Sequence, residues 1–271
     1  MYQQALKAEK THHYITEKKL LKKVLRQFPN NFEAGVHYLI AAVRSNDFAE
    51  IDSLLTVMAD KTTNNKKLIE EANSAMEILD YYNLKDPDFA ASISEIAEED
   101  PEYDQQLTAY YDTHREDVCA LFMLGKSAFN RRNYAKADSL FNRLATFKPD
   151  FHLAFLWLAN TYIEEKKYDG SIKLCERVLE QNAESHHALA IIAKTMLKQQ
   201  RDKEALQKAM AAYELNPDSE PSIYTLAMAN HFNNRPKERD QLFAKMKTLP
   251  DADTTTIAEM TNIFSGKISY R

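Results

Sequence analysis

The sequence predicts an all-α fold, a solenoid of helix–turn–helix repeats, and three observations carry that reading. Glycine is scarce: 4 of 271 residues, about a fifth of the usual ~7%. Four glycines cannot furnish the phosphate-cradling turns of a nucleotide-binding α/β fold or the many tight turns of an all-β fold. A 34-residue period aligns the chain beyond residue 118. Leu124-Gly125, Leu158-Ala159, Ile192-Ala193 and Leu226-Ala227 fall in register. So do Ala137, Ser171 and Ala205, then Phe141, Cys175, Ala209 and Phe243, and also Tyr134 with Tyr168. Finally, each period reads as two amphipathic helices joined by a short polar turn.

The elements follow in order. Residues 1–29 read as a unit short of part of its first helix, closed by Phe28-Pro29. Residues 32–65 place Tyr38, Ala42, Phe48 and Leu55 in register, and counting back from Pro101 sets a unit at 70–103 with Met76, Phe89, Ile93 and Ile96. Asp86-Pro87-Asp88 reads as a turn and helix start. Residues 1–101 are thus expected to be degenerate N-terminal repeats. Pro101 and Pro149 are 48 apart instead of 34, which makes 102–117 an insertion. Its Tyr103, Leu107, Tyr110 and Tyr111 point to an extra helical turn or two at a hinge, kink or sub-domain boundary.

In 118–151 the first helix carries Leu121, Leu124, Gly125 and Ala128 on one face, Asn130-Arg131-Arg132-Asn133 forms the turn, and the second helix carries Ala137, Leu140, Phe141 and Leu144. Pro149 bars its continuation. A glycine inside a helix costs roughly 1 kcal/mol against alanine, so Gly125 implies a close approach of the two helices that offsets it. Residues 152–185, 186–219 and 220–253 repeat the pattern with growing degeneracy, and 118–253 is expected to be one array. In 254–271, Thr256 with Glu259 reads as a capping box opening a last helix with Ile257, Met260, Ile263 and Phe264, and Gly266 as its C-cap. Such a helix suits the terminal cap a stacked array needs.

These residues resemble the tetratricopeptide repeat family. Its signature of a large residue, Leu-Gly, Tyr, Ala, Phe and Pro is matched by Leu121, Leu124-Gly125, Tyr134, Ala137, Phe141 and Pro149. It is matched less fully in the next three units, where Ala183 replaces the proline and Arg239 a small residue. The resemblance covers almost the whole chain. It implies a right-handed superhelix of about six or seven repeats whose first helices line a concave groove.

The family's geometry implies that six positions of each first helix face that groove. Here they give Phe122, Met123, Lys126, Phe129 and Asn130, then Leu156, Trp157, Asn160, Ile163 and Glu164, then Ala190, Ile191, Lys194, Leu197 and Lys198, then Tyr224, Thr225, Met228, His231 and Phe232. Phe122, Met123, Lys126, Phe129, Trp157, Asn160, Lys194, Lys198 and Tyr224 are the expected ligand-binding residues. Apolar anchors with a few lysines suit an extended or helical peptide of another protein, with Lys126, Asn160 and Lys194 gripping a carboxylate and Trp157 as a hot spot. Trp157 packing between repeats is the alternative, as are lysines that are merely solvated. The family's carboxylate clamp is not carried over, because Leu156 and Trp157 stand where it needs polar residues.

Charge is uneven. Residues 1–30 hold seven Lys or Arg against two Glu, and residues 86–117 hold eleven Asp or Glu against one Arg. The acidic stretch could steer a basic partner or the chain's own basic end, or both could be solvated helix faces. No aromatic platform is interleaved with the basic residues, so nucleic acid is not expected as a partner. No phosphate loop, GxGxxG, GxSxG or HExxH occurs. His114-Arg115-Glu116 lacks the Pro-Cys-x-x-Cys that zinc deaminases add. His12-His13 and His186-His187 are adjacent pairs, expected on different helix faces. No catalytic residue, metal, cofactor or small-molecule substrate is therefore expected.

No stretch reaches ~18 apolar residues, so no membrane span is expected. Cys119 and Cys175 make no disulfide framework. Met1 to Lys10 has no apolar leader core, which gives a cytoplasmic expectation. The function expected is a non-catalytic scaffold or adaptor. The alternatives are a sensory or regulatory arm of a larger protein, for which the shortened first repeat speaks, and an RNA-binding helical repeat.

Overall fold

The structure, a computed structural model, describes residues 1–45, 51, 65–250 and 252–271. Phe48 and Leu55 lie outside the described residues. Among those described there are fifteen α-helices and no strand. The first six are α1 (Tyr2–Lys10), α2 (Tyr14–Gln27), α3 (Phe32–Arg44), α4 (Lys66–Asp80), α5 (Pro87–Ser94) and α6 (Pro101–Thr113). The next five are α7 (Val118–Asn130), α8 (Tyr134–Phe147), α9 (His152–Glu164), α10 (Tyr168–Gln181) and α11 (His186–Lys198). The last four are α12 (Asp202–Leu215), α13 (Glu220–Phe232), α14 (Pro236–Met246) and α15 (Thr254–Phe264). The all-α solenoid read from the sequence is therefore the fold. Two compact units divide it: residues 1–157 with 180–184, and residues 158–179 with 185–271.

In the first unit, side-chain carboxylates and amides start most helices. Asn31, Asn65, Asp86, Asp100, Asp117 and Asn133 each accept a hydrogen bond from the first turn they precede, satisfying donors that helix geometry leaves open. Asp117 does more. It is 1% exposed, and its carboxylate accepts from Ala120 N–H at 2.9 Å, Lys85 N–H at 2.9 Å and Tyr110 O–H at 2.9 Å. It thereby ties the 85 loop and α6 to the start of α7. Around it Ile93, Tyr103, Leu107, Tyr111, Leu121, Leu144 and Phe151 form one buried cluster.

Two expectations are corrected here. The stretch 102–117 is not an extra turn or two but most of the 13-residue helix α6. Pro101, read as the end of a repeat, opens that helix at its first turn, where a missing N–H costs nothing. The unit also departs from neighbour-only stacking. Thr16 N–H donates to Glu184 Oε2 at 2.8 Å, Ala183 N–H to the His12 carbonyl at 3.0 Å, and Asn182 Nδ2 to the Arg44 carbonyl at 3.0 Å.

In the second unit Ala193, Ala205, Ala209, Ala212 and Ala227 are buried, so small residues let α11, α12 and α13 pack closely. The 34-residue period is also written in the backbone. Arg132 in the first unit, and Lys166, Gln200 and Asn234 in the second, all have φ between 54° and 62°. Each follows a first helix, and the next residue's N–H reaches back to close the last turn: Asn133 to Ala128 at 2.8 Å, Lys167 to Tyr162 at 2.8 Å, Arg201 to Met196 at 2.9 Å and Arg235 to Asn230 at 2.9 Å. This is the Schellman closure, here with no glycine at the left-handed position. The last helix is also corrected. Thr256 does not cap it; Asp253 does, accepting from Thr255 and Thr256 N–H. Gly266, at φ 74°, closes its far end as expected.

Candidate functional site

All nine expected ligand-binding residues are half-buried, neither core nor free surface. In the first unit they fall into two adjoining groups. Phe122, Met123 and Lys126 line a cavity of about 220 Å³ with Tyr82, Glu98 and Tyr103. Trp157 sits in an aromatic cluster, its ring centroid 6.2 Å from Phe122, 5.3 Å from Phe129 and 6.0 Å from Phe141. The sole tryptophan of the chain is thus held by its neighbours, with one part still exposed. Lys126 is not a free cation: its Nζ lies 3.5 Å from Glu98 Oε1. Arg131, which caps the end of the same helix, reaches Asp104 at 3.2 Å and the carbonyls of Glu98 and Asp100. Part of the acidic stretch is therefore spent on α7.

In the second unit Lys194 lies 3.8 Å from Glu164. Lys198 and Tyr224 are brought together by a residue that sequence reasoning left unassigned, Tyr270. Tyr270 is 6% exposed. The Lys198 ammonium stands 3.8 Å over its ring and donates to its carbonyl, and Phe232 lies 5.5 Å from it, centroid to centroid. Arg271 continues the contact, with its guanidinium 3.9 Å over Phe232 and paired with Asp202. Burial raises the Tyr224 hydroxyl well above its ordinary range, and Tyr270 and Glu259 add to that. Lys198 is lowered, first by burial and then by Lys194. Segment 268–271 thus lies along first-helix residues of α11 and α13.

Several other positions read as groove-lining are core. Leu156, Ile163, Ala190, Ile191, Leu197, Thr225 and Met228 are all buried, Met228 completely. The family's six positions span more of the helix circumference than this chain leaves exposed. The histidine pair 186–187 also differs from expectation: the two rings lie 4.0 Å apart, centroid to centroid, instead of on separate faces. Burial, then His187, pushes the His186 imidazole down to about 3.

One polar cluster has no counterpart in the sequence reading. Glu9 on α1, Glu17 on α2 and His37 on α3 each offer a ligand-type atom, and these atoms lie within 4.8 Å of one another. His37 Nδ1 is 3.5 Å from Glu9 Oε1. Glu17 is fully buried, and burial raises its carboxyl to about 9, with Glu9 adding to the shift. The signal was present in the sequence. Tyr14, Glu17, Leu21 and Val24 share one face of α2, and all four are buried, so a carboxylate sits on an apolar stripe.

Residues 89–235, just over half of the chain, match the family described as the tetratricopeptide repeat protein 21 C-terminal ARM domain. Among solved structures, MamA (residue 41 to the end) from Desulfovibrio magneticus RS-1 is similar at 16% identity and TM-score 0.47, covering 61% of this chain and 93% of that one. YrrB, described as a TPR protein with an unusual peptide-binding site, is similar at 14% identity and TM-score 0.41, covering 64% of this chain and 97% of that one. No curated protein matches the sequence significantly. No described helix is long and apolar enough to cross a membrane. With the repeat register, the recurring left-handed turns and the matched span in agreement, the chain belongs to the TPR-like helical-repeat family of the tetratricopeptide repeat protein 21 C-terminal ARM domain.

Proposed function

We propose that this chain is a non-catalytic scaffold that holds an extended segment of another protein against the first helices of its repeats. One observation carries the reading. In the second unit the chain's own segment 268–271 occupies that kind of surface, with Tyr270 against Lys198 and Phe232. A tyrosine docked under a lysine ammonium, with its backbone carbonyl accepting from the same lysine, is how a foreign peptide would be held. Cation–π contact favours an aromatic anchor, and the carbonyl contact fixes register. In the first unit the half-exposed Trp157 and the Phe122–Met123–Lys126 cavity offer a second apolar seat of the same character. Lys126 and Lys194 must exchange Glu98 and Glu164 for a partner's carboxylate, which makes these contacts selective instead of strong.

The test is an array of short extended peptides, with and without aromatic residues, probed with three forms of the full chain. These are the wild type, Lys198→Glu/Tyr224→Ala and Lys126→Glu/Trp157→Ala. The expected result is a set of aromatic-containing peptides captured by the wild type and lost in at least one double variant. Equal capture by all three forms would overturn the surface assignment, and capture of nothing would overturn the peptide-scaffold reading.

A further inference from the structure

We propose that Glu9, Glu17 and His37 form a binding site for one divalent transition-metal ion of the zinc type. The three groups come from three separate helices and converge with ligand atoms within 4.8 Å of one another. Around an ion with bonds of roughly 2.1 Å, ligand atoms stand roughly 3.4 Å apart, so small side-chain rotations close the set. The second observation is what the cluster leaves unsatisfied. Glu17 is 0% exposed, yet neither of its carboxylate oxygens has a hydrogen-bond partner, and His37 Nδ1 has only the 3.5 Å contact to Glu9. Buried polar atoms are normally paired, and two orphaned carboxylate oxygens beside that imidazole call for a shared partner.

Among the described residues, the nearest cations are engaged elsewhere. Arg44 is turned to Tyr14, with its guanidinium 5.4 Å over the ring and Nη1 3.4 Å from the hydroxyl. Lys67 lies 3.4 Å from Glu71. What faces the gap is two carboxylates and an imidazole. The mixed set favours a borderline ion such as zinc, cobalt or manganese over calcium or magnesium, which prefer oxygen alone. Tyr2 stands edge-on to the His37 ring, with centroids 6.0 Å apart, and so helps to fix its orientation. An entry route exists: a cavity of about 590 Å³ opens beside Glu9, His37 and Arg44. Three protein ligands leave one position of a tetrahedral ion for water.

The test uses the full chain without an affinity tag, stripped with chelator and titrated with Co²⁺ while visible absorption is followed. One equivalent should bind with bands of an ordered nitrogen–oxygen site, and added Zn²⁺ should displace it. Glu17→Gln keeps the shape of a buried carboxyl that is neutral without metal and cannot become a carboxylate ligand, so it should fold, and circular dichroism checks that. It and His37→Gln should weaken Co²⁺ binding more than about tenfold, while His12→Ala/His13→Ala should leave it unchanged. Absence of stoichiometric binding by the wild type would overturn the site and leave Glu17 as a neutral buried acid. Binding that survives Glu17→Gln, or that is lost with His12 and His13, would overturn it equally.

Discussion

A β-carbon added at Gly125 would stand 2.5 Å from Cε1 and 2.8 Å from Cζ of Phe141. Phe141 is itself fully buried, so its ring has nowhere to go. Gly125→Leu should therefore destabilise the protein by about 3 kcal/mol, the upper part of the overpacking range. Gly125→Ala should cost less, because alanine regains roughly 1 kcal/mol of helix propensity. Urea unfolding of both variants checks this, and adding Phe141→Leu to Gly125→Ala should recover part of the loss, since the two sites touch. Unchanged stability in Gly125→Leu would break the repeat register on which the fold was read.

The left-handed turn residues give a prediction of opposite sign. Lys166 and Gln200 are exposed, and each holds φ near 60°, a conformation that costs a side chain about 1 kcal/mol or more and glycine almost nothing. Lys166→Gly and Gln200→Gly should each stabilise by about 0.5 kcal/mol, once the added freedom of the unfolded chain is subtracted. Gln199→Gly, one residue earlier at φ −83°, should destabilise. Thermal melts of the three variants separate the two outcomes.

These turns also show how far the sequence could be read. Leu124-Gly125 and its counterparts gave the helix pairs, because a steric need repeats wherever the same two helices meet. The turn residues Arg132, Lys166, Gln200 and Asn234 share a backbone conformation and no side-chain chemistry, so no residue type announced them. Asp117 could be suspected as a cap, but its bonds to Lys85 and Tyr110 come from packing that no spacing encodes. The nine expected groove residues are half-buried, yet Glu98 and Tyr270, which contact Lys126 and Lys198, come from distant parts of the chain. Repeats are legible because they are local and recurrent. The contacts that occupy their faces are neither.

Asp117 is expected to act as a single fastening point. Asp117→Ala removes the cap of α7 and strands the Lys85 N–H and the Tyr110 hydroxyl. A cost of about 3 kcal/mol follows from losing a cap and leaving a buried donor unpaired. The Tyr110 hydroxyl, raised to about 12 by burial first and Asp117 second, should titrate lower in Asp117→Asn but stay above its ordinary value of 10.0, because burial remains. Ultraviolet titration of tyrosine in the two proteins reads this directly.

The His186 imidazole gives the fold an acid limit. Its folded value lies near 3, against 6.5 in the free side chain, because burial and His187 disfavour the cation. Below pH 6.5 the unfolded chain takes up a proton that the folded one refuses, so stability falls as pH drops from about 6.5 to about 3. This group alone can withdraw up to about 5 kcal/mol once the pH lies below both values. In His186→Gln the position no longer titrates. Urea unfolding at pH 7 and pH 4 should therefore show a smaller loss in the variant than in the wild type, with the carboxylates common to both cancelling out. Equal losses would mean that His186 is protonated in the folded protein.

Tyr270 links stability to binding. The residue is 6% exposed, with its ring against Lys198 and Phe232, and Tyr270→Ala should cost about 3 kcal/mol within the second unit, as loss of a buried aromatic ring does. Amide exchange in α13 should quicken, since Tyr224 and Phe232 lose what covers them. If the surface is a peptide seat, the attached segment competes with any partner at an effective concentration of order millimolar. A free peptide carrying the Ile-Ser-Tyr-Arg sequence of residues 268–271 should then bind the wild type weakly and Tyr270→Ala markedly better, as read by fluorescence anisotropy of the labelled peptide. Lys198→Glu placed on Tyr270→Ala should abolish the gain. If Tyr270→Ala loses stability without gaining peptide affinity, the segment is a structural strap and the seat lies elsewhere.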